Sequence, residues 1–351
     1  MTLMPPRTAV TRPAPDLASA HDPGAVISAQ RAADALKATL PEVVGNPLVR
    51  SAGGEVRIGT ASWTDPTMVR ANVFYPRGAS TAEERLRYYA SQFSVEVDAT
   101  YYSLPERATS QLWAERTTPH FSFHVKAHAL MTGQPTEVAR LPKGLVELLP
   151  ASVARQAKIY AKDLPADLRT AVWARFLGAL SPLAELGKLG GVLLQYPRWF
   201  LPTPQSEATL ADAAGRLSDF PACVELRNMS WFASAMQTAR TLDMLRALGL
   251  THVVVDGPQG LSSSVPRVPA TTTPHLAMIR LHGRRVATWE APDVPTVERY
   301  RYLYSRDEIT SWVPLIESAA REATRTIVFF NNCYGNYGAT NARELIAALS
   351  V

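Results

Sequence analysis

The chain has 351 residues, 46% of them hydrophobic, which is enough to bury one large core or two small ones. A formal net charge of +5 without any Lys/Arg-rich run describes a mildly basic protein and argues against a nucleic-acid-binding surface. Two cysteines, Cys223 and Cys333, exclude a disulfide framework and fit a reducing cytoplasm. No apolar run reaches the roughly 18 residues of a membrane span, so no membrane partner is expected.

Residues 1–50 form a Pro/Ala-rich extension, with 1–27 reading as flexible and 28–44 as one short helix. The barrel domain is expected over 51–351, with regular structure starting near Glu55. From there, apolar β-rich runs alternate with helical patterns. The runs are VRIGTASW (56–63), FSVEVDATYY (93–102), FSFHVKAHAL (121–130), GGVLLQYP (190–197), ACVELRNMSW (222–231), THVVVDGP (251–258), HLAMIRLHG (275–283) and TIVFFNN (326–332). Near-continuous apolar runs fit strands covered on both faces, as in parallel sheets.

The intervening segments carry helix ends. Ser80-Thr81-Ala82-Glu83 reads as a capping box, as does Ser305-Arg306-Asp307-Glu308. The second opens a helix over 305–323 with Ile309, Trp312, Val313 and Ile316 on one face. Gly249 reads as a helix stop. The connection 133–189 is long enough to hold extra helices and to cap a mouth, while that after Asp256 reads as a loop. Eight strands alternating with helices predict an α/β fold, a single (β/α)8 TIM-type barrel. An open doubly wound sheet would show a nucleotide-type glycine turn after its first strand, and Gly59-Thr60-Ala61 is no such turn.

Strand residues alternate between the barrel interior and the helix layer. Parity puts His124, Lys126 and His128 on one face of the third run and Glu225 with Arg227 on one face of the fifth. It aligns Val254 with Asp256 and Arg280 with His282, and it places Glu96, Asp98, Thr100 and Tyr102 together on the second. Asn331 and Asn332 close the eighth. These groups gather late in their strands, where barrel enzymes place their chemistry. Glu96 and His124, lying earlier, read as structural. An internal ion network, with Glu225 meeting Arg227 or Arg280, is the competing explanation.

The ordered stretches IGTASW (58–63), FYP (74–76), RYYASQFSVEVDATYYSLP (87–105), TPHFSFHVKA (118–127), LGGVLLQYP (189–197), VELRNMSWF (224–232), VVVDGP (253–258), TTTPHLAMIRLHGR (271–284), YSRDEITSW (304–312) and FFNNCYGNYGATNARELIAAL (329–349) resemble the YecE-like proteins, known as domain of unknown function 72. The resemblance covers residues 56–349 and implies a TIM-type barrel, with no reaction attached. Where the family pattern has Arg-His before Ser-Trp, this chain has Arg227-Asn228, which removes an imidazole.

Three functions compete. The first is a metal-independent, cofactor-free enzyme of hydrolase, isomerase or lyase type acting on a small anionic or sugar-like substrate. Glu225 or Asp256 would serve as base and His282 as acid or shuttle. Lys126, Arg227 and Arg280 would bind the anion, Asn331 and Asn332 would orient it, and Trp63, Tyr101 and Trp231 would wall it. The second is a metal-dependent hydrolase or isomerase with Glu225, Asp256, His282 and Asn332 as ligands. The third is a non-catalytic ligand- or nucleic-acid-binding module.

Overall fold

The structure, a computed structural model, describes residues 49–261 and 263–350. The expected flexible segment 1–27 and the helix at 28–44 lie outside these residues. Regular structure begins earlier than Glu55. A short strand, Val49–Ser51, pairs antiparallel with the first barrel strand. Ala52 and Gly53 join them, both with positive φ (50° and 92°), as a two-residue hairpin turn requires.

Eight parallel strands close into a barrel. They are β1 (Gly54–Ala61), β2 (Ser94–Val97), β3 (Phe123–Lys126), β4 (Leu189–Tyr196), β5 (Ala222–Leu226), β6 (Thr251–Asp256), β7 (Leu276–Leu281) and β8 (Arg325–Phe330). Each pairs with its neighbours in chain order. The ring shuts where Val328 sits opposite Ile58 and Thr60 opposite Val95. Gly59 makes this closure possible, because a Cβ there would collide with the Ser94 carbonyl. The strands are shorter than the apolar runs. β2 stops at Val97 and turns into a 3-10 segment, Ala99–Tyr101, so Thr100 and Tyr102 leave the face they were expected to share with Glu96. His128 likewise lies beyond β3.

The barrel holds two apolar layers. Leu193, Cys223, Val253, Val255, Leu276, Met278, Ile327 and Phe329 fill the interior. The alternate residues, such as Val224, Leu226, Val254 and Val328, pack against the helices. The connection 133–189 does contain helices, including the 20-residue Ala166–Glu185. At its start, Gln134 reaches the mouth by donating to the Gln195 carbonyl at 3.0 Å. The segment after Asp256 is a loop.

Two helix signals are shifted. The first capping box is Thr81 with Glu84, one residue later than expected, and Ser80 adds its own bonds to the same carboxylate. The helix expected over 305–323 is two helices, Arg306–Thr310 and Val313–Glu322. Pro314 explains the break, since it has no N–H for Thr310 and its ring crowds that carbonyl. The Ser305–Glu308 capping box is present, and Gly249, at φ 66°, ends helix Ala235–Ala247.

Trp312 sits at the break, fully buried, with the Arg267 guanidinium 4.1 Å over its ring. Trp312→Ala should cost about 3–5 kcal/mol through the cavity it leaves. Thermal melting checks this, and a melting point within a degree or two of the parent's would show that the indole is not a packing element.

Candidate functional site

The strand alternation sorts the expected site residues into two groups. Glu225, Arg227, Arg280, His282, Lys126 and Asn331 face the interior or its mouth. Asp256 and Asn332 face the helices. Asp256 is surrounded there by Arg284 (Nε at 2.8 Å), Arg267 (2.7 Å) and the Tyr304 hydroxyl (2.7 Å). Asn332 donates to the Tyr302 carbonyl at 2.7 Å and to Asn341 at 3.0 Å. The period of two demands this result. Asn331 and Asn332 are consecutive and cannot share a face, and Asp256 shares one with Val254, which packs outward. Both residues therefore leave the candidate site.

The two tryptophans leave it as well. Trp63 packs edge-on to Trp113, with ring centroids 5.5 Å apart, and to Phe123 in the outer layer. Trp231 is buried against Phe200, to whose carbonyl its indole donates at 2.7 Å.

Inside the barrel, Arg280 lies between two carboxylates from opposite sides. Its Nε and Nη2 make a bidentate pair with Glu96 at 2.7 and 2.6 Å, and its Nη1 donates to Glu225. All three side chains are essentially inaccessible to solvent. Glu225 also accepts from Gln195 (2.7 Å), Arg227 (3.1 Å) and His282 (3.2 Å). Burial alone would raise its pKa, but Arg280, His282 and Arg227 outweigh that and hold it well below the usual carboxylate range. Glu225 is thus a saturated anion rather than a free base. The internal ion network is real, and Glu96 belongs to it.

Burial lowers the His282 pKa to about 4, against the opposing pull of Glu225. The neutral ring fits its surroundings. Asn331 Nδ2 lies 2.8 Å from Nδ1, leaving Nε2–H to donate to Glu225. With both nitrogens engaged, His282 works as a brace.

Two cavities open above this network. One, of about 370 Å³, is lined by Asp65, Asp98, Tyr101, Tyr102, Lys126, Gln195, Tyr300, Asn331 and Cys333, among others. The other, of about 500 Å³, is lined by Gln134, Gln195, Arg198, Trp199, Arg227, Trp289, Glu290, Arg299 and Tyr300, among others. Gln195 and Tyr300 border both, so the two are lobes of one cleft. Arg227 leans on the Trp289 ring at 5.1 Å, and the Lys126 ammonium sits 4.7 Å from the centre of the Tyr101 ring.

Asp98 is the residue that sequence reasoning placed on a face but left out of the site. Burial raises its carboxyl pKa to about 6, partly countered by Lys126. Lys126, half-buried, has its pKa lowered by burial and then by Arg280. Among the described residues neither takes part in an ion pair. Gln195 was also missed, although it is the one amide in the otherwise apolar run GGVLLQYP. Trp199 lies in a loop, while Trp289 ends the four-residue helix Val286–Trp289 and Tyr300 follows the four-residue helix Thr296–Arg299, segments too short to carry a periodic signal. Asn228 serves as a cap, its side-chain oxygen accepting from Ser230 N at 2.8 Å.

Among the described residues, no group of three or more His, Cys, Asp or Glu side chains is arranged to hold a metal ion. The four ligands considered above divide across the sheet, Glu225 and His282 inside and Asp256 and Asn332 outside. They cannot meet at one ion. No helix among the described residues is long and apolar enough to cross a membrane.

The family described as "Protein of unknown function DUF72" matches residues 57–351. Among curated proteins, the UPF0759 protein YunF of Bacillus subtilis is 28% identical over 300 residues, covering 84% of this chain and 95% of that one. The UPF0759 protein YecE of Escherichia coli is 28% identical over 203 residues, 57% of this chain and 59% of its own length. Among solved structures, a DUF72 family protein from Enterococcus faecalis superposes with a TM-score of 0.66 at 27% identity, covering 84% of this chain and 96% of that one. A DUF72 family protein from Thermotoga maritima gives 0.65 at 27% identity, covering 84% and 99%. With a barrel of this build and a match over most of its length, the chain belongs to the DUF72 family.

Proposed function

We propose that the protein is an acid–base enzyme of hydrolase, isomerase or lyase type, acting without a metal on a small anionic or sugar-like molecule in the cleft at the C-terminal mouth. Asp98 exchanges the proton. Lys126 and Arg227 hold the substrate's negative or polar groups, with Tyr101 and Asn331 beside them. The Glu96–Arg280–Glu225–His282 network below fixes Arg227 and Asn331 and takes no proton itself.

One observation carries this reading. Asp98 and Lys126 line the same lobe, and both are displaced towards neutral pH without a fixed ionic partner. A carboxyl group poised near 6 is matched to proton transfer in neutral solution. Glu225, by contrast, would have to shed several bonds first.

The test is turnover of a pooled set of sugar phosphates and hydroxy acids, followed by mass spectrometry. Asp98→Asn should lower turnover by about 10²–10⁴-fold, the usual contribution of a general acid or base. Asp256→Asn should leave the chemistry in place. Full turnover by Asp98→Asn would overturn the assignment.

A further inference from the structure

We propose that Lys126 is a nucleophile that forms an imine with the carbonyl group of an aldehyde or ketone substrate. This rests on the reading of the cleft as an enzyme site and refines the part of its lysine, which attacks the carbonyl while Arg227 holds the substrate's negative groups.

The first observation is one of composition. The chain has 36 basic residues, of which only six are lysines and thirty are arginines. Where a fixed positive charge is needed in the barrel, the chain uses Arg227 and Arg280. A guanidinium stays charged and is a poor nucleophile, whereas an amine can release its proton and attack. Lys126 is the one lysine among the described residues that lines the cleft.

The second observation is its setting. Lys126 is the last residue of β3, at the end of the barrel where barrel enzymes place their reacting groups. It is half-buried, and among the described residues its Nζ makes neither a hydrogen bond nor an ion pair. Its near neighbour is the Tyr101 ring. Burial and the Arg280 charge favour the neutral amine, and they outweigh the pull of the Glu96, Asp98 and Glu225 carboxylates towards the ammonium. Lys188, also buried, shows what a structural lysine does here. Its Nζ donates to the Thr117 carbonyl at 2.8 Å and to that of Ala114.

The third observation is the neighbouring acid, since Asp98 lines the same lobe. The step balances. The amine lone pair of Lys126 attacks the carbonyl carbon, and the C–O π pair moves to oxygen. Asp98 protonates that oxygen to give a carbinolamine and takes back a proton from nitrogen. Protonation of the hydroxyl by Asp98 then lets it leave as water while the nitrogen lone pair forms the C=N bond. One hydrogen of the departing water comes from the amine and the other from Asp98, which ends ionised beside the protonated imine, and nothing is oxidised or reduced. The protonated imine is an electron sink for breaking a bond or removing a proton next to the former carbonyl.

The experiment is reductive trapping of the full chain with limiting glycolaldehyde and cyanoborohydride at pH 7, followed by peptide mapping. Lys126 should take the label ahead of the exposed Lys143, Lys158 and Lys162, because the rate of attack follows the fraction of amine that is unprotonated. Lys126→Arg should keep the fold and lose that label alone. Asp98→Asn should slow labelling at Lys126 without changing the surface lysines. Preferential labelling of the surface lysines would overturn the proposal. An unchanged rate at Lys126 in Asp98→Asn would overturn the proton relay. If the trap fails while Asp98→Asn still loses turnover, imine formation is wrong and the acid–base reading stands.

Discussion

Arg280→Met should be the most damaging single substitution in the barrel interior, costing about 3–5 kcal/mol, the range found when one partner of a buried ion pair is removed. The side chain fits the space, so packing is not the main loss. The loss is electrostatic. Glu96 loses both bonds of its bidentate pair, and Glu225 loses one of its two arginine partners while keeping Arg227, Gln195 and His282. Two inaccessible carboxylates then face each other in a space without bulk water. Against a typical stability of about 5–15 kcal/mol, this is enough to leave the protein marginal. The control is the triple change Arg280→Met, Glu96→Gln, Glu225→Gln, which removes both anions together with the cation. It should recover much of the loss, because charges withdrawn from water gain little over neutral groups of similar shape. Urea denaturation midpoints report both effects if the slope is unchanged. A single variant that unfolds at the parent's urea concentration would mean that the three side chains are not the linked, dehydrated group described above.

This network also shows how far the sequence could be read. The (β/α)8 architecture was legible because the eight apolar runs, their spacing and the helix caps all say the same thing. The interior placement of Glu225, Arg227, Arg280 and His282 was legible too, because each alternates with residues that pack outward. Asp256 and Asn332 were misplaced for a single reason. Lateness in a strand was allowed to outweigh parity, when parity decides which side of the sheet a side chain occupies. The pairing of Arg280 with Glu96, 184 positions apart, follows from the shape of the closed barrel and from no local pattern. The same holds for the cleft walls. Trp289 ends one four-residue helix and Tyr300 follows another, and Trp63 and Trp231 looked equally suitable in the sequence. Aromatic residues near a strand end serve both packing and binding, and only the third dimension separates the two uses.

Mild acid should destabilise the protein through its buried histidines. Four histidines are buried in the neutral form, and burial is the first cause in each. His124 is pushed down to about 3, and His128, His252 and His282 to about 4, from an ordinary 6.5. A histidine whose pKa is depressed in the folded state contributes fully above the unfolded value, near 6.5. Its contribution is lost as pH falls towards 4, because the unfolded chain takes up a proton that the folded chain refuses. Asp98 works in the opposite sense. Its folded pKa is raised from 3.8 to about 6, so below 6 the folded chain holds a proton that the unfolded chain has released. Four histidines against one aspartate leave three protons in favour of unfolding. At about 1.4 kcal/mol per proton per pH unit, stability should fall by up to about 4 kcal/mol between pH 6 and pH 5. Exposed carboxylates have barely begun to titrate there, so the histidines dominate the window. Urea midpoints at pH 7.5, 6 and 5 measure the slope directly. Midpoints that stay level from 7.5 to 5 would mean that the four rings are hydrated or paired when protonated. His128→Gln tests one contributor, since His128 Nε2 is buried without a partner among the described residues. Removing that ring should flatten the slope by about one proton, while its stability at pH 7.5 reports only the change in packing.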